Sequence, residues 1–148
     1  MKDYSKLLEA NVISTLSFGI TEISISDVEN IEKAQIGYGV DSRGEKIEAW
    51  PEHWIVIGHE NLSGDPIFID LEEEDIAVCT AMEGMGDWSE VLISKSLKGF
   101  IDSLQFLAHY SNQPPIKEDA KELIRGKLMK LSGLEELDFW ENILFLED

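Results

Sequence analysis

The sequence of 148 residues has little of what marks several common classes of protein. Its one cysteine, Cys79, cannot form an internal disulfide, so a reducing compartment fits, and we expect a buried, small apolar side chain there. No apolar run approaches the roughly 20 residues that a transmembrane helix needs. The first residues show no basic segment followed by an apolar run, which predicts no signal peptide. Together these absences predict a cytoplasmic protein.

Basic residues are also scarce. Twelve lysines and arginines stand against 30 acidic residues, which gives a formal net charge of −18 at pH 7. The phosphates of nucleic acids and the anionic surfaces of membranes would repel such a chain. The charge therefore argues against nucleic acid and membrane as partners. It is compatible with a basic protein partner and also with a role in solubility alone.

The few basic residues are unevenly distributed. Residues 113–131 hold five bases and three acids, whereas residues 132–148 hold six acids and no base. Opposite charges attract each other at short range, more strongly where water is excluded. We therefore predict that these two segments pack beside each other within the molecule.

The apolar residues that are present predict one domain that spans residues 1–148. They make up 43% of the chain, which is enough for a substantial core. Residues 54–58 and 67–71 form nearly continuous apolar runs, typical of strands that are buried on both faces. The short connections between successive strands favour antiparallel neighbours. We predict strands at residues 21–25, 35–40, 54–58, 67–71, 76–82 and 89–93.

Apolar residues at helical spacing predict helices at both ends of the chain. An N-terminal helix would place Tyr4, Leu7, Leu8 and Val12 on one face. The C-terminal third predicts three helices, which begin after Ser94, at Ile116 and at Leu134. The fold class is therefore α+β, with a central, mainly antiparallel sheet on which the N-terminal and C-terminal helices pack. Residues 116–148 would form a helical extension that packs on the core.

Candidate catalytic residues are few and isolated. His53 and His59 lie six residues apart, too far along a strand to share a metal ion without a bend. Cys79 lies in the middle of a strand with no base beside it. Asp65 and Asp70 could serve a carboxylate hydrolase, but a role for Asp65 in accepting backbone hydrogen bonds within its turn is the more economical interpretation. We expect no catalytic residue, no cofactor and no metal, and the hydrolase is the least favoured alternative.

The best candidate for binding is a set of acidic residues around one tryptophan. Trp88 would anchor a partner, because tryptophans that become buried often dominate the energy of an interface. The alternative is that Trp88 packs over its own sheet. The predicted partner-binding residues are Glu72, Glu73, Glu74, Asp75, Glu83, Asp87 and Trp88.

Several short motifs occur in an order typical of one protein family. They are Gln35-Ile36-Gly37-Tyr38, Trp54-Ile55-Val56-Ile57-Gly58, Gly64-Asp65-Pro66-Ile67-Phe68-Ile69-Asp70, Ala81-Met82-Glu83-Gly84-x-Gly86-x-Trp88 and Ser94-x-Ser96-Leu97-x-x-Phe100. Each motif is weak by itself, but the ordered set resembles the SUKH superfamily, which is widespread in bacteria and includes fungal cell-wall assembly regulators. The resemblance covers residues 21–110.

The resemblance implies both a fold and a function. Members are α+β domains with a mainly antiparallel sheet and packed helices, and they are not known as enzymes. Many bacterial members are immunity proteins, encoded beside polymorphic toxins that they bind and neutralise, and these toxins are often nucleases. The chain departs from the family at its start, because no proline precedes Pro51 and a Leu-Pro-x-x-Tyr element is missing. Residues 111–148 lie outside the recognisable part.

These observations predict a non-enzymatic, acidic binding protein whose partner is a basic toxin domain. A regulatory or scaffold domain without a toxin partner is the alternative. The sequence leaves the oligomeric state and the identity of the partner open.

Overall fold

The computed structural model describes residues 4–84 and 87–145, and for Glu83, Gly84 and Asp87 it describes the backbone alone. The helices are α1 (Tyr4–Ala10), α2 (Ile31–Ala34), α3 (Leu97–Ala108), α4 (Glu118–Ser132) and α5 (Asp138–Leu144). The strands are β1 (Thr15–Phe18), β2 (Thr21–Ile25), β3 (Trp54–Glu60), β4 (Pro66–Asp70), β5 (Ala77–Gly84) and β6 (Asp87–Ser94). A short 3-10 turn, Val28–Asn30, precedes α2.

The strands form one sheet in the order β1-β2-β3-β4-β5-β6, and every neighbouring pair is antiparallel. Each strand pairs with the next one along the chain, as short connections require. The pairing shifts register at two places, between Val56 and Gly58 and between Val78 and Cys79. The predicted α+β fold with a mainly antiparallel sheet is confirmed. Strands β1 and β6 form the two edges of the sheet.

Helices cover one face of the sheet, the inner face. Ile23, Ile67 and Ile93 point to this face and are fully buried. Phe100 of α3 and Trp140 of α5 pack against each other with 6.1 Å between ring centroids. The Trp140 indole also donates a hydrogen bond to the carbonyl oxygen of Ile93 at 3.2 Å. This face holds the main core. Burying each such apolar side chain contributes about 1.5–3 kcal/mol to the free energy of unfolding.

The opposite, outer face carries an aromatic cluster. Residues 35–53 fold over this face and bury Trp50 there. The Trp50 ring packs edge-on against Trp54 and Trp88, each at 5.2 Å between centroids, and against Phe68 at 5.4 Å. The cluster consists of Tyr38, Trp50, Trp54, Phe68 and Trp88.

The Gln35 side chain replaces a missing strand neighbour beside β3. Strand β2 ends at the level of Gly58, so Val56 has no backbone partner on that side. The Gln35 carboxamide accepts a hydrogen bond from the Val56 N–H and donates one to the Val56 carbonyl oxygen, both at 2.9 Å. Both buried backbone groups are thereby satisfied.

The strand predicted at residues 35–40 is wrong. This stretch forms turns with two isolated bridges, Ile36 to Val40 and Val40 to Lys46. Gly37 adopts a φ of +94°, which turns the chain where a strand would have to continue. Of the apolar residues that alternate here, Tyr38 packs against the outer face, whereas Ile36 is 51% exposed.

The N-terminal helix is shorter than predicted. Helix α1 ends at Ala10, because the Asn11 side chain accepts a hydrogen bond from the Ile13 N–H and donates one to the Ile13 carbonyl oxygen. Val12, predicted on the apolar face of the helix, is 80% exposed. The chain then forms β1, which the sequence pattern does not predict.

The oppositely charged C-terminal segments meet as their charges predict. The Arg125 guanidinium of α4 pairs with both carboxylate oxygens of Glu141 in α5, and the second of these bonds is 3.2 Å long. The guanidinium carbon also lies 4.7 Å from the centre of the Phe145 ring. The hydrogen bond to Glu141 is the main cause that raises the pKa of Arg125. A mixed ionic and aromatic contact therefore joins the two helices.

Candidate protein-binding surface

The charged turn between β4 and β5, residues 71–76, is fixed by hydrogen bonds at both ends. Asp70, the last residue of β4, is 8% exposed, and its Oδ1 accepts a hydrogen bond from the Glu72 N–H at 3.0 Å. The same oxygen lies 2.8 Å from Nδ1 of His53. At the other end, Ile76 is buried with a φ of +59°, which β-branched residues rarely adopt. The Asp75 carbonyl oxygen accepts a hydrogen bond from the first residue of α3.

Strand β6 presents three residues to the outer face at alternate positions, Trp88, Glu90 and Leu92. Glu90 lies opposite Ala81 of β5, and Leu92 lies opposite Cys79. Trp88 is half-buried in the aromatic cluster, whereas Glu90 is exposed and Leu92 is 37% exposed. The outer face therefore changes from aromatic to acidic along a single strand.

A hollow of about 670 Å³ lies at the acidic end of the outer face, beside Glu90 and Leu92. We call it the acidic hollow, because five of its side chains are carboxylates and one is a lysine. Apolar side chains, among them Leu92, complete the wall. The lining consists of Asp70, Glu73, Glu74, Asp75, Ala77, Cys79, Glu90, Leu92 and Lys95.

The Cys79 thiol in this hollow is a poor nucleophile. Burial, and to a smaller extent the negative charges of Glu90, Asp70 and Glu73, raise the pKa of Cys79 to about 12. A nucleophilic cysteine needs the opposite environment, one that stabilises the thiolate. Cys79 therefore contributes an apolar, protonated side chain to the hollow.

A second hollow, the edge hollow, lies on the other side of β6 and has a volume of about 490 Å³. Leu92 and Lys95 line both hollows. The aliphatic stem of Lys95 packs over Gly133, and its backbone N–H donates a hydrogen bond to the Ser132 carbonyl oxygen at 2.8 Å. The lining of the edge hollow consists of Val91, Leu92, Lys95, Leu134, Glu135, Glu136 and Asp138.

The two hollows form one strongly acidic surface around β6. We call the residues that line them the β6 surface. Eight carboxylates of this surface surround one ammonium group, that of Lys95. The carboxylates are Asp70, Glu73, Glu74, Asp75, Glu90, Glu135, Glu136 and Asp138. Several like charges around a concave, partly apolar surface produce a field that attracts cations.

The structure separates the two halves of the predicted binding patch. Glu73, Glu74 and Asp75 line the acidic hollow, and Glu72 lies beside His53, with Oε2 at 3.7 Å from Nε2. Trp88 lies near the opposite end of the β5–β6 hairpin, six residue steps along β5 and roughly 20 Å away. Its ring packs against its own sheet in the aromatic cluster while part of it stays exposed. The side chains of Glu83 and Asp87 lie outside the described residues.

Sequence reasoning missed Glu90 and Leu92. The signal that could have found them is the two-residue alternation from Trp88 through Glu90 to Leu92, because it assigns all three to one face. It also missed Glu135, Glu136 and Asp138 as surface partners of β6. Their approach depends on how α5 packs against the sheet, and no local pattern encodes that packing.

The residues considered for hydrolysis do not come together. Asp65 and Asp70 flank opposite ends of β4, roughly 16 Å apart. His53 contacts Asp70, whereas His59 lies opposite Pro66 at the other end of β3. Within residues 4–84 and 87–145, no three His, Cys, Asp or Glu side chains are grouped so that they could hold a metal ion.

Comparisons with other proteins leave the function to be argued from this surface. Protein-family models, curated proteins and solved structures give no match to the chain. None of the described helices is both long and apolar enough to cross a membrane. The most distinctive features are therefore the charge and shape of the β6 surface itself.

Proposed function

We propose that the chain is a non-enzymatic binding protein that holds a basic protein partner on the β6 surface, and that this partner is a toxin domain which the chain neutralises. One observation carries the proposal, namely eight carboxylates and one ammonium group around the exposed side chain of Leu92. We propose the cytoplasm as its location, given the single, reduced Cys79.

The acidic surface suits a partner that binds nucleic acid. A nuclease must hold a phosphate backbone, so its active cleft is basic. An acidic, concave surface accelerates association with such a cleft, and the effect weakens as salt rises. A protein bound there would exclude nucleic acid from the cleft. A nuclease toxin is therefore the partner class that we favour.

Leu92 offers the apolar contact that charge alone does not supply. Charged groups contribute mainly to association rate and specificity, while buried apolar anchors dominate affinity. Leu92 lies between the two hollows and keeps 37% of its surface exposed. We propose it as the centre of the interface, with the carboxylates as its polar rim.

The resemblance to the SUKH superfamily supports the same class of function. Many bacterial members are immunity proteins, and the resemblance is carried by motifs along residues 35–100. Residues 54–58 and 64–69 fall in β3, β4 and the turn between them and line neither hollow, and of these two motifs Asp70 alone borders the β6 surface. The motifs thus describe the scaffold, and the β6 surface would determine which toxin is bound.

The test uses the product of the neighbouring gene, because immunity proteins are encoded beside their toxins. The binding variant combines Glu74→Lys with Glu90→Lys, and the control combines Glu29→Lys with Glu32→Lys. All four carboxylates are exposed, both pairs change net charge equally, and the control pair lies outside the β6 surface. We expect affinity, measured by calorimetry, to fall at least about tenfold in the binding variant alone.

Three outcomes would count against parts of the proposal. Equal losses in both variants would show that net charge alone attracts the partner. Tight binding without protection of toxin-producing cells would favour a regulatory or scaffold role. If the neighbouring product does not bind at all, the proposed toxin partner is wrong.

A further inference from the structure

The two edges of the sheet differ in whether their backbone groups are occupied. At the β1 edge, the carbonyl oxygen of Ser17 accepts a hydrogen bond from the Asn112 N–H at 2.9 Å. The Ser17 N–H donates to the Ser111 hydroxyl, also at 2.9 Å. The loop after α3 therefore closes this edge against another strand.

Within the part of the chain that the structure describes, the β6 edge is closed only at its C-terminal end. There, Trp140 donates to the Ile93 carbonyl oxygen, and the Lys95 N–H donates to Ser132. Among residues 4–84 and 87–145, residues 88–92 have no hydrogen bond with any segment other than β5. Half of the backbone groups of an edge strand point away from its neighbour, so this stretch offers unused donors and acceptors.

The open stretch has little of the usual protection of an edge, because Glu90 is its one charged residue. Residues 88–92 contain no proline and no lysine, the two residues that most often block strand addition. The register shift in the β5–β6 pairing is confined to Val78 and Cys79, so the pairing from Leu92 to Asp87 is regular. The edge hollow leaves room beside Val91 and Leu92. The geometry therefore permits a seventh strand.

An added strand would place its side chains in two acidic environments. Residues that lie opposite Glu90 and Leu92 would point to the outer face, beside the acidic hollow. A residue opposite Val91 would point towards the edge hollow, near Glu135 and Glu136. Both environments favour lysine or arginine in the added strand.

We infer that the open β6 edge binds an extended, cationic segment of the partner protein by strand addition, an inference that rests on the proposed function. A second copy of the chain is a poor occupant. Each copy carries a charge of −18, and antiparallel pairing of two β6 strands would bring the two acidic surfaces together. The charge of the surface therefore favours a basic partner. The unpaired backbone groups of β6 favour a segment in the extended conformation.

The experiment separates strand addition from attraction between charges. The probe is a peptide of about nine residues that alternates lysine and valine, so that lysine faces one of the two acidic environments and valine faces the apolar residues that line the other. Two matched peptides carry methyl groups on backbone nitrogens, one on every lysine and the other on every valine. This methylation keeps the charge of the peptide and removes the N–H donors along one edge of the extended peptide. We expect one methylated peptide to bind like the parent and the other to bind at least about tenfold more weakly. Hydrogen exchange should slow at residues 88–92 and stay unchanged at 15–18.

Equal affinities of the three peptides would overturn strand addition and leave the acidic surface as the binding site. Failure of the parent peptide to bind, or slowed exchange only outside residues 88–92, would also overturn it. The proposed function is judged separately, by binding of the neighbouring product to the two charge variants. The failure of one inference is thus distinguishable from the failure of the other.

Discussion

The two ends of the outer face differ in how they are covered. At one end, residues 35–53 bury Trp50 among four other aromatic rings. At the other, Glu90 and Leu92 stay exposed beside the acidic hollow. Both ends lie on the same sheet, and β6 passes from one to the other. The covered end has the composition of a core, and the uncovered end is an exposed surface of carboxylates around Leu92.

Under the proposed function, the covered end serves stability and the uncovered end serves binding. Substitutions in the aromatic cluster should unfold the protein and affect binding only as a consequence. Substitutions on the β6 surface should weaken binding and leave the fold intact.

The largest effect is expected from Trp50→Ala. Trp50 is 3% exposed and contacts four aromatic rings, and its indole donates a hydrogen bond to the Trp54 carbonyl oxygen at 3.0 Å. Removing it leaves a cavity and should lower the free energy of unfolding by about 3–5 kcal/mol. Urea denaturation followed by circular dichroism measures the loss. A loss below about 1 kcal/mol would contradict a structural role for the covered end.

A smaller loss is expected from Gly58→Ala in β3. A Cβ atom at this position would lie 2.2 Å from the Ser24 carbonyl oxygen, so β2 and β3 would have to separate. We expect a loss of about 1–3 kcal/mol. Gly126→Ala is the matched control, because a Cβ meets nothing within 4 Å there, and it should stabilise α4 by up to about 1 kcal/mol. Equal effects of the two substitutions would argue against this close approach of strands.

The raised pKa of Cys79 predicts a loss of stability at alkaline pH. Burial raises the pKa of this thiol in the folded protein from its ordinary value of 9.0 to about 12. Above pH 9 the unfolded chain releases this proton while the folded protein keeps it, so the free energy of unfolding falls as pH rises towards 12. Cys79→Ala should flatten this part of the profile, measured by denaturation at several pH values. An unchanged profile would mean that Cys79 ionises equally in both states.

The smallest effect on stability is expected from the combined Glu74→Lys and Glu90→Lys substitutions. Both side chains are exposed, and their neighbours in the acidic hollow are mostly carboxylates. The free energy of unfolding should change by less than about 0.5 kcal/mol, with any gain largest at low salt. A loss above about 2 kcal/mol would mean that Glu74 and Glu90 help to stabilise the fold.

The strands were largely predictable because their signal is local. Residues 21–25 alternate, and β3 and β4 are apolar runs, so sequence alone locates them within a few residues. The helices α3 and α4 follow from apolar spacing in the same way, and Gly133 ends α4 with a φ of +77° as glycine permits. Burial of one face is what makes such patterns visible.

The parts that escaped prediction depend on contacts between distant segments. The loop at residues 35–40 resembles a strand because Ile36, Tyr38 and Val40 alternate, but of these three Tyr38 alone packs in the aromatic cluster, on a sheet formed elsewhere in the chain. The separation of the turn at 72–75 from Trp88 follows from the antiparallel pairing of β5 and β6. The acidic residues of 135–138 reach β6 only through the packing of α5. None of these relations leaves a periodic trace in the sequence.

Hydrogen exchange of the complex with the neighbouring gene product would locate the binding surface on the sheet. If the uncovered end of the outer face is the binding surface, exchange should slow at residues 70–75 and 88–95. Exchange at residues 4–18 should stay as in the free protein, because α1 and the closed β1 edge lie outside the β6 surface. Slowed exchange on the helices of the inner face, with residues 70–75 and 88–95 unchanged, would contradict the account.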